Sequence, residues 1–298
     1  MLRKLKFYLE WAIKNNLKGY RIPVSSSIIL TDTCNLNCEY CVVKNLSYEE
    51  LTFEEVKRDL NLLYSTGARM LAITGGEPYC WRDDKKNLSD VITYAKELGV
   101  FRVTLVTNGT FKLKSNADFI WVSLDGLPEE HNFLRDNSYD TIVKNIKRSS
   151  HPKIFANFTI TSQNFQSIDE AITNILAIEN IQGIMFRLFI PYLNTDLNFQ
   201  LSAKERWEVI TKIIQFKKKH PIKVTNTFDG LKALLLNNWE RPIWSSVVVN
   251  RGELTRCLCR KGISNQETCK NCGSTPAIES LMIQKLKPLA LLENLRLL

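Results

Sequence analysis

Strand-like and helix-like segments alternate through most of the chain, and this alternation restricts the possible folds more than any other feature. Six runs rich in β-branched and aromatic residues predict strands, and most are separated by helical apolar patterns or capping boxes. Strands that alternate with helices form parallel βα units. The predicted strands are residues 25–31, 70–74, 102–107, 119–124, 154–160 and 184–190.

Six such units predict an α/β fold, a partial (β/α)6 TIM-like barrel with a small C-terminal cysteine-rich metal-binding region. A doubly wound sheet is the alternative, because propensities do not show whether a sheet curls. The 298 residues are divided into an N-terminal amphipathic helix at 1–23, a barrel at 24–225, and a C-terminal region with a tail helix at 226–298. The segment 222–226 is a candidate seventh element of the barrel.

Residues that follow the predicted strands share one kind of chemistry. In a βα barrel the active residues lie at the carboxyl ends of the strands. A metal centre beside a polar small molecule would use cysteines, glycines, carboxylates and amides, and these occur at the ends of the strands. In strand order they are Cys34, Cys38 and Cys41; Gly75, Gly76, Glu77 and Pro78; Asn108; Ser123 and Asp125; Asn157; and Arg187.

The first cysteines are spaced Cys34-x3-Cys38-x2-Cys41. Thiolates are soft ligands that suit iron–sulfur clusters, zinc or copper(I). Structural zinc sites and ordinary ferredoxin clusters use four ligands. Three cysteines without a local fourth would leave one iron open, and an open iron can bind a small molecule through its amine and carboxylate.

This spacing resembles the signature of the radical S-adenosylmethionine (radical SAM) enzymes, and Tyr40 stands where that family usually has an aromatic residue. Gly75-Gly76-Glu77-Pro78 resembles the family's second motif, and the resemblance covers about residues 24–225. It implies that the three thiols hold a 4Fe-4S cluster. It also implies that S-adenosylmethionine is cleaved to a 5′-deoxyadenosyl radical, which abstracts hydrogen from a substrate carbon.

The same resemblance implies which residues contact S-adenosylmethionine. The glycines allow close backbone approach, and arginine can pair with a carboxylate through two donors. In this reading Glu77, within the motif from Gly75 and Gly76 to Pro78, receives the methionine ammonium; Tyr40 lies near the adenine; Asn108, Ser123 and Asp125 reach the ribose or the carboxylate; and Arg187 pairs with that carboxylate.

Other interpretations of these residues stay open. Asp125 with Gly126 is also a common turn sequence. Asn157 could be a satisfied interior amide, and Arg187 could pair with a carboxylate of the barrel. Cys80 has no cysteine partner nearby in the sequence, which favours a packing role. The sequence assigns no catalytic residue.

A second cysteine group is spaced Cys257-x-Cys259-x9-Cys269-x2-Cys272. Four thiols complete the ligand set of a zinc ion or an iron–sulfur cluster. The segment resembles part of the SPASM/twitch auxiliary-cluster region, with fewer cysteines than the full pattern. The resemblance favours one additional cluster. A zinc knuckle that stabilises a small terminal region is the alternative.

His131 lies in a segment that resembles the substrate-side loop of radical SAM enzymes with additional C-terminal clusters. An ordinary surface histidine is the alternative.

Composition excludes several classes of protein. The net charge is +9, but apart from the run at 216–220, which closes a predicted helix, no basic block with interleaved aromatic residues predicts nucleic-acid binding. No run of eighteen apolar residues predicts a membrane span. The first residues lack the apolar run and cleavage site of a secretory signal. A reducing cytoplasm is therefore expected, where clustered cysteines more often bind metals than form disulfides.

The N-terminal segment is amphipathic, with basic residues beside its apolar face. It either packs across the bottom of the barrel or lies peripherally on an anionic membrane surface. The Leu-rich tail predicts a docked helix broken near Pro288. The predicted apolar face of the N-terminal helix consists of Leu2, Leu5, Leu9, Ala12 and Ile13.

These observations predict a radical SAM enzyme, most simply one that modifies a peptide or protein. The alternative is a lipid- or isoprenoid-modifying enzyme similar to the hopanoid adenosyl-transfer enzymes. A non-catalytic iron–sulfur or zinc-binding protein is the alternative of another class. The expected partners are a reductant such as ferredoxin or flavodoxin and a peptide or lipid substrate.

Overall fold

The computed structural model describes residues 2–47 and 49–295, with side chains for residues 6–47 and 49–294. The helices are α1 Leu2–Leu17, α2 Phe53–Ser65, α3 Leu88–Glu97, α4 Pro128–Leu134, α5 Tyr139–Lys147, α6 Ile168–Leu176, α7 Ala203–Lys219, α8 Phe228–Leu236, α9 Gln266–Lys270, α10 Thr275–Gln284 and α11 Pro288–Leu295. The strands are β1 Ser25–Ile29, β2 Met70–Thr74, β3 Arg82–Asp83, β4 Lys86–Asn87, β5 Arg102–Thr107, β6 Phe119–Ser123, β7 Ile154–Ile160, β8 Ile181–Leu188, β9 Ser246–Asn250 and β10 Glu253–Arg256.

The main sheet has eight strands in the order β10-β9-β1-β2-β5-β6-β7-β8. The six consecutive members from β1 to the edge strand β8 are the six predicted strands, which pair in parallel and in chain order. The α/β class and the partial TIM-like barrel are therefore confirmed. β7 is buried along all its residues, as expected for a parallel strand that is covered on both faces.

The predicted seventh element is present only as a single bridge. Val224 pairs in parallel with Ile184 of β8, and no strand is formed there within the described residues. The sheet instead gains strands at its other edge, where β9 pairs in parallel with β1 and β10 returns antiparallel. A turn at Arg251 and Gly252 joins these two strands, with φ values of 50° and 80°, a conformation that favours glycine.

Helix α10 connects the two sides of the open barrel. The hydroxyl of Thr275 donates a hydrogen bond to Phe186 O on β8, at 2.5 Å. One turn and a half later, Ser280 Oγ lies 2.8 Å from Ser25 Oγ on β1. The helix thus fills the gap that six strands leave unclosed. The predicted break of the tail is confirmed, because α10 ends at Gln284 and α11 begins at Pro288.

Helix α1 lies across the amino-terminal ends of β1 and β2. Trp11 packs against Val24 and Met70, and its indole donates to Ile22 O at 2.8 Å. The predicted docked face was wrong in part, because Leu9 and Ile13 are 57% and 48% exposed. The larger side chain of Trp11 is buried instead of these two side chains. The side chains of Leu2 and Leu5 lie outside the described residues, and no described helix is long and apolar enough to cross a membrane.

Candidate functional site

The three cysteines of the first group lie in one loop after β1, named here the cysteine loop (residues 31–45). The pKa of Cys38 is raised to about 11, mainly by burial and in smaller part by the neighbouring Cys41 and Cys34 thiols. Burial also raises the pKa of Cys34. Because a bound metal stabilises thiolates, metal binding would offset the cost of ionising Cys34 and Cys38.

No three His, Cys, Asp or Glu side chains in residues 2–47 and 49–295 converge as they do around a single metal ion. The cysteine loop is nevertheless held in a defined shape. Asn45 Oδ1 accepts a hydrogen bond from Cys34 N at 3.0 Å, and Asn45 N donates to Asp32 O at 2.6 Å. Cys41 N donates to Cys38 O at 3.2 Å, which forms the turn between the last two thiols.

The second motif packs directly on the cysteine loop. Gly76 N donates to Thr31 O at 2.8 Å, and Glu77 N donates to Thr33 O at 2.9 Å. A Cβ atom on Gly75 would collide with Thr31 O, and one on Gly76 would collide with Thr33 O. The two glycines are therefore needed for this close approach, which brings both sequence motifs into one site.

Glu77 is fully buried and connects the second motif to the end of β5. Its carboxylate accepts hydrogen bonds from Thr107 Oγ1 at 2.8 Å, Asn108 N at 2.7 Å and Tyr79 N at 3.1 Å. Burial raises the pKa of Glu77, and these donors oppose that increase. An ionised carboxylate accepts about four hydrogen bonds, so room for roughly one further donor remains.

Asn108 directly follows β5, and Ser123 is the last residue of β6. Both side chains are buried. Asn108 Nδ2 donates to Asn35 Oδ1 at 2.9 Å and lies 3.9 Å from Cys34 Sγ. Ser123 stands opposite Asn157 of β7 in the sheet register. The structure therefore places Asn108 against the cysteine loop itself, while Asn157 faces the interior of the barrel.

Tyr40 and Asp125 form a buried network with Arg135, a residue that the sequence did not single out. Tyr40 Oη donates to Asp125 Oδ2 at 2.5 Å, and Arg135 donates to both partners. Thr159 N donates to the other Asp125 oxygen at 2.7 Å. The charge of Arg135 also opposes the increase in the pKa of Cys38 that burial causes. Protein donors thus contact both oxygens of Asp125. Through Tyr40, the network holds the cysteine loop against Asp125 and Arg135.

Removal of Arg135 is expected to destabilise the protein strongly. Arg135→Met leaves the fully buried Asp125 without its cation, and breaking a buried pair costs about 3–5 kcal/mol. The free energy of unfolding, measured with urea under anaerobic conditions, should fall by that amount. The exposed pair between Lys261 and Glu253 supplies the control, because Lys261→Met should cost less than about 1 kcal/mol. Equal losses in the two variants would contradict the assigned role.

His131 is fully buried, so the alternative of a surface histidine is wrong. Its Nδ1 accepts from Asp125 N at 3.2 Å, and its Nε2 lies 3.1 Å from Ser138 Oγ. Burial lowers the pKa of His131 to about 4. The neutral ring therefore supports the segment that carries Asp125.

The depressed pKa of His131 predicts a loss of stability in acid. The unfolded chain protonates this residue near pH 6.5 and the folded chain only near pH 4, so its stabilising contribution is present above about pH 6.5 and is lost as the pH falls. Between about pH 8 and pH 5 the contribution to the free energy of unfolding falls by about 2 kcal/mol. His131→Gln should remove this part of the pH dependence in urea unfolding. An unchanged pH dependence in the variant would refute the prediction.

The four thiols of the second group also lie together. The pKa of Cys272 is raised to about 12 and that of Cys259 to about 11, mainly by burial and in smaller part by neighbouring thiols of the group. Ser274 N donates to Cys272 Sγ at 3.4 Å, and Arg241 donates to Cys272 O at 3.1 Å. The Ser274 donor at the sulfur of Cys272 and the nearby charge of Arg241 would stabilise the Cys272 thiolate, which is the form that binds a metal.

A buried ion pair joins the two cysteine groups. Arg260 follows Cys259 directly, and its Nη2 lies 2.7 Å from Asp32 Oδ1 in the cysteine loop. Both side chains are about 5% exposed or less. Tyr192 follows β8, and its hydroxyl oxygen lies 3.9 Å from Cys259 Sγ. The second group therefore stands between the end of β8 and the loop that holds the first group.

Cys80 is closer to the site than its sequence position suggested. It lies in the short 3-10 helix Pro78–Cys80, and Cys34 is near enough to affect its pKa. Burial is the main cause that raises the pKa of Cys80 to about 11, and the charges of Glu77 and Cys34 add to it. Cys80 therefore lies near Cys34, because the second motif folds onto the cysteine loop, and its packing role stays a prediction.

Comparisons with known proteins agree with this geometry. Residues 28–172 match the family model described as the Radical SAM superfamily. The Fe-coproporphyrin III synthase of Methanosarcina barkeri is 30% identical over 207 residues, which are 64% of this chain and 50% of that protein. The GTP 3′,8-cyclase of Syntrophomonas wolfei is 31% identical over 42% of this chain and 43% of its own length. The chain thus spans half or less of the length of these relatives.

Solved structures share the fold. Streptococcus suis SuiB bound to S-adenosylmethionine superposes with a TM-score of 0.65 at 17% identity, covering 92% of this chain and 69% of SuiB. The structure of anSMEcpe with bound AdoMet has a TM-score of 0.55 at 17% identity, covering 72% of this chain and 64% of that one. At these identities the comparison establishes the fold alone.

Proposed function

We propose that this chain, which belongs to the radical SAM superfamily, reductively cleaves S-adenosylmethionine at a 4Fe-4S cluster held by Cys34, Cys38 and Cys41. The observation that carries the proposal is the direct hydrogen bonding of the second motif to the cysteine loop, at 2.8 and 2.9 Å. When bound, the cluster supplies the electron that yields a 5′-deoxyadenosyl radical, which abstracts hydrogen from a substrate carbon. The chain itself binds, orients and shields the reactants.

The residues around the cysteine loop would hold the cofactor. The backbone of Gly75, Gly76 and Pro78 offers close approach, and Glu77 has room for the methionine ammonium. Arg187 Nε is buried without a protein partner in the described part of the chain, which suits the cofactor carboxylate. Asn108 and Ser123 are proposed to make polar contacts with the ribose or the carboxylate of the cofactor, whereas Tyr40 and Asp125 shape the site through Arg135.

A peptide or protein is the proposed substrate class. The barrel encloses a cavity of about 370 Å³ with apolar walls and several polar groups, among them Ser27, Thr104 and Asn157. A hydrocarbon chain would leave these groups without hydrogen-bond partners, which is costly in a buried site. A peptide supplies both apolar side chains and amides. SuiB, which shares the fold, was solved with its precursor peptide SuiA.

The second group of Cys257, Cys259, Cys269 and Cys272 is proposed to hold another iron–sulfur cluster, with zinc as the alternative. Four thiols leave no open ligand position, so electron transfer or structural support is the proposed role. Radical SAM enzymes need a reductant, and a ferredoxin or flavodoxin is proposed for this chain.

A deuterium transfer experiment tests the substrate class. The reconstituted enzyme is incubated with S-adenosylmethionine, dithionite and either perdeuterated peptides or a perdeuterated lipid extract from the same cells. Hydrogen abstraction transfers deuterium into 5′-deoxyadenosine, which mass spectrometry detects. The proposal predicts deuterium from the peptide fraction. Deuterium from the lipid fraction alone would favour the isoprenoid-modifying alternative.

A further inference from the structure

The barrel cavity is closed on its open side by helix α10, which contributes a carboxylate to the cavity wall. Inward residues of the strands, including Ser25, Met70 and Met185, form the opposite walls. Glu279 and Ser280 of α10 face them. The chemistry of this side of the cavity is therefore set by a C-terminal helix and not by the barrel strands.

Glu279 has one oxygen that is used by the fold and one that is not. Oε1 accepts a hydrogen bond from Thr227 N at 2.9 Å, at the amino-terminal end of α8. Oε2 is buried and has no hydrogen-bond partner among the described residues. Burial raises the pKa of Glu279 to about 7, and the Thr227 hydrogen bonds oppose that increase. An unpartnered buried carboxylate oxygen is costly, and a hydrogen-bond donor on a bound molecule would remove that cost.

Glu293 of α11 lies in the same region, and both of its carboxylate oxygens have protein partners. It accepts a hydrogen bond from Phe228 N at 3.0 Å, the residue after Thr227. Its other oxygen pairs with the buried Lys217 Nζ at 2.8 Å. Both glutamates therefore cap the same end of α8, but only Glu293 has both oxygens satisfied by the protein.

We propose that Glu279 is a substrate-recognition residue whose Oε2 binds a nitrogen donor, an ammonium or an amide N–H, of the molecule held in the barrel cavity. This inference rests on the proposed function and narrows its substrate to one that carries such a nitrogen. The donor would replace the missing partner of Oε2. A hydrocarbon substrate without nitrogen would leave that oxygen unpaired.

Methyl NMR of 13C-labelled methionine tests the assignment on the full-length, anaerobically purified protein. Met70 and Met185 line the cavity, whereas Met282 is buried on α10 outside it and serves as an internal control. The probe is n-butylammonium, titrated at about pH 8 so that Glu279 is ionised, and 1-pentanol is the neutral comparison. Saturable shifts are expected at Met70 and Met185, with little change at Met282 and weaker binding of the alcohol.

The variants distinguish recognition from capping. Glu279→Gln keeps the Thr227 hydrogen bond but removes the charge, and should weaken n-butylammonium binding about tenfold or more. Glu293→Gln keeps the hydrogen bond from Phe228 N but removes the partner of the buried Lys217, so circular dichroism first verifies its fold, and its binding should stay within about twofold. Equal binding in the Glu279 variant and the natural chain, or equal weakening in both variants, would overturn the proposal. If Glu279→Gln does not fold, Glu279→Asp, which shortens the side chain, should weaken binding as well.

The binding experiment requires no cleavage of S-adenosylmethionine. Its failure therefore leaves the proposed radical chemistry intact. Conversely, an absence of 5′-deoxyadenosine would leave the binding result unchanged.

Discussion

Replacement of Cys38 by alanine is expected to abolish 5′-deoxyadenosine formation while the protein remains folded. Cys38 is the most buried thiol of the first group, and it lies beside Cys34 and Cys41. With two thiols remaining, the cluster loses one of its three protein ligands. The measurement is 5′-deoxyadenosine release from anaerobically reconstituted protein with dithionite, together with circular dichroism and iron content.

Cys80→Ala is the matched control for this change. Cys80 is a thiol near Cys34 but stands outside the three-cysteine motif. The control should keep its iron and its 5′-deoxyadenosine release. Retained turnover in Cys38→Ala would refute the assignment of the first group. Loss of iron in Cys80→Ala would instead identify Cys80 as a fourth ligand and leave no open iron.

The second large effect is expected from Cys269→Ala combined with Cys272→Ala. If the C-terminal group holds a four-iron cluster, the iron content should fall by about four atoms per chain. The reason is that two of its four ligands are lost. Cys272 interacts with Cys257 and Cys259 in the folded chain, so these thiols act as one group. Iron and zinc are measured by elemental analysis of the same samples.

Cys80→Ala again supplies the comparison, since it removes a thiol outside this group. Unchanged iron with a loss of zinc in the double variant would establish the zinc alternative. The first cluster should survive the double change, because the ion pair of Arg260 with Asp32 does not involve the mutated residues. Simultaneous loss of both centres would show that the C-terminal group is needed to hold the cysteine loop.

The arrangement of the barrel and the first site was predictable because both depend on local sequence. Parallel strands place their carboxyl ends on one rim. The cysteine loop follows β1 and the glycine motif follows β2, so the two segments were expected to lie side by side on that rim. The glycines at 75 and 76 show why the meeting is close, since side chains there would collide with the loop carbonyls. Short motifs that follow strands carry this information within a few residues.

Contacts between distant segments were not predictable in the same way. Arg135 pairs with Asp125 through a turn after α4, and no spacing rule marks an arginine of that loop. Glu279 faces the barrel only because α10 fills the gap between β8 and β1. Trp11 replaced Leu9 and Ile13 on the docked face of α1, because the apolar pattern of that helix permits more than one orientation.

The most direct test measures iron, sulfide and zinc per chain on anaerobically purified protein, together with 5′-deoxyadenosine release after addition of dithionite and S-adenosylmethionine. Radical chemistry at the cysteine loop predicts release with about eight irons per chain, or about four irons and one zinc if the second group binds zinc. Zinc alone, with no release even after cluster reconstitution, would contradict the proposed function.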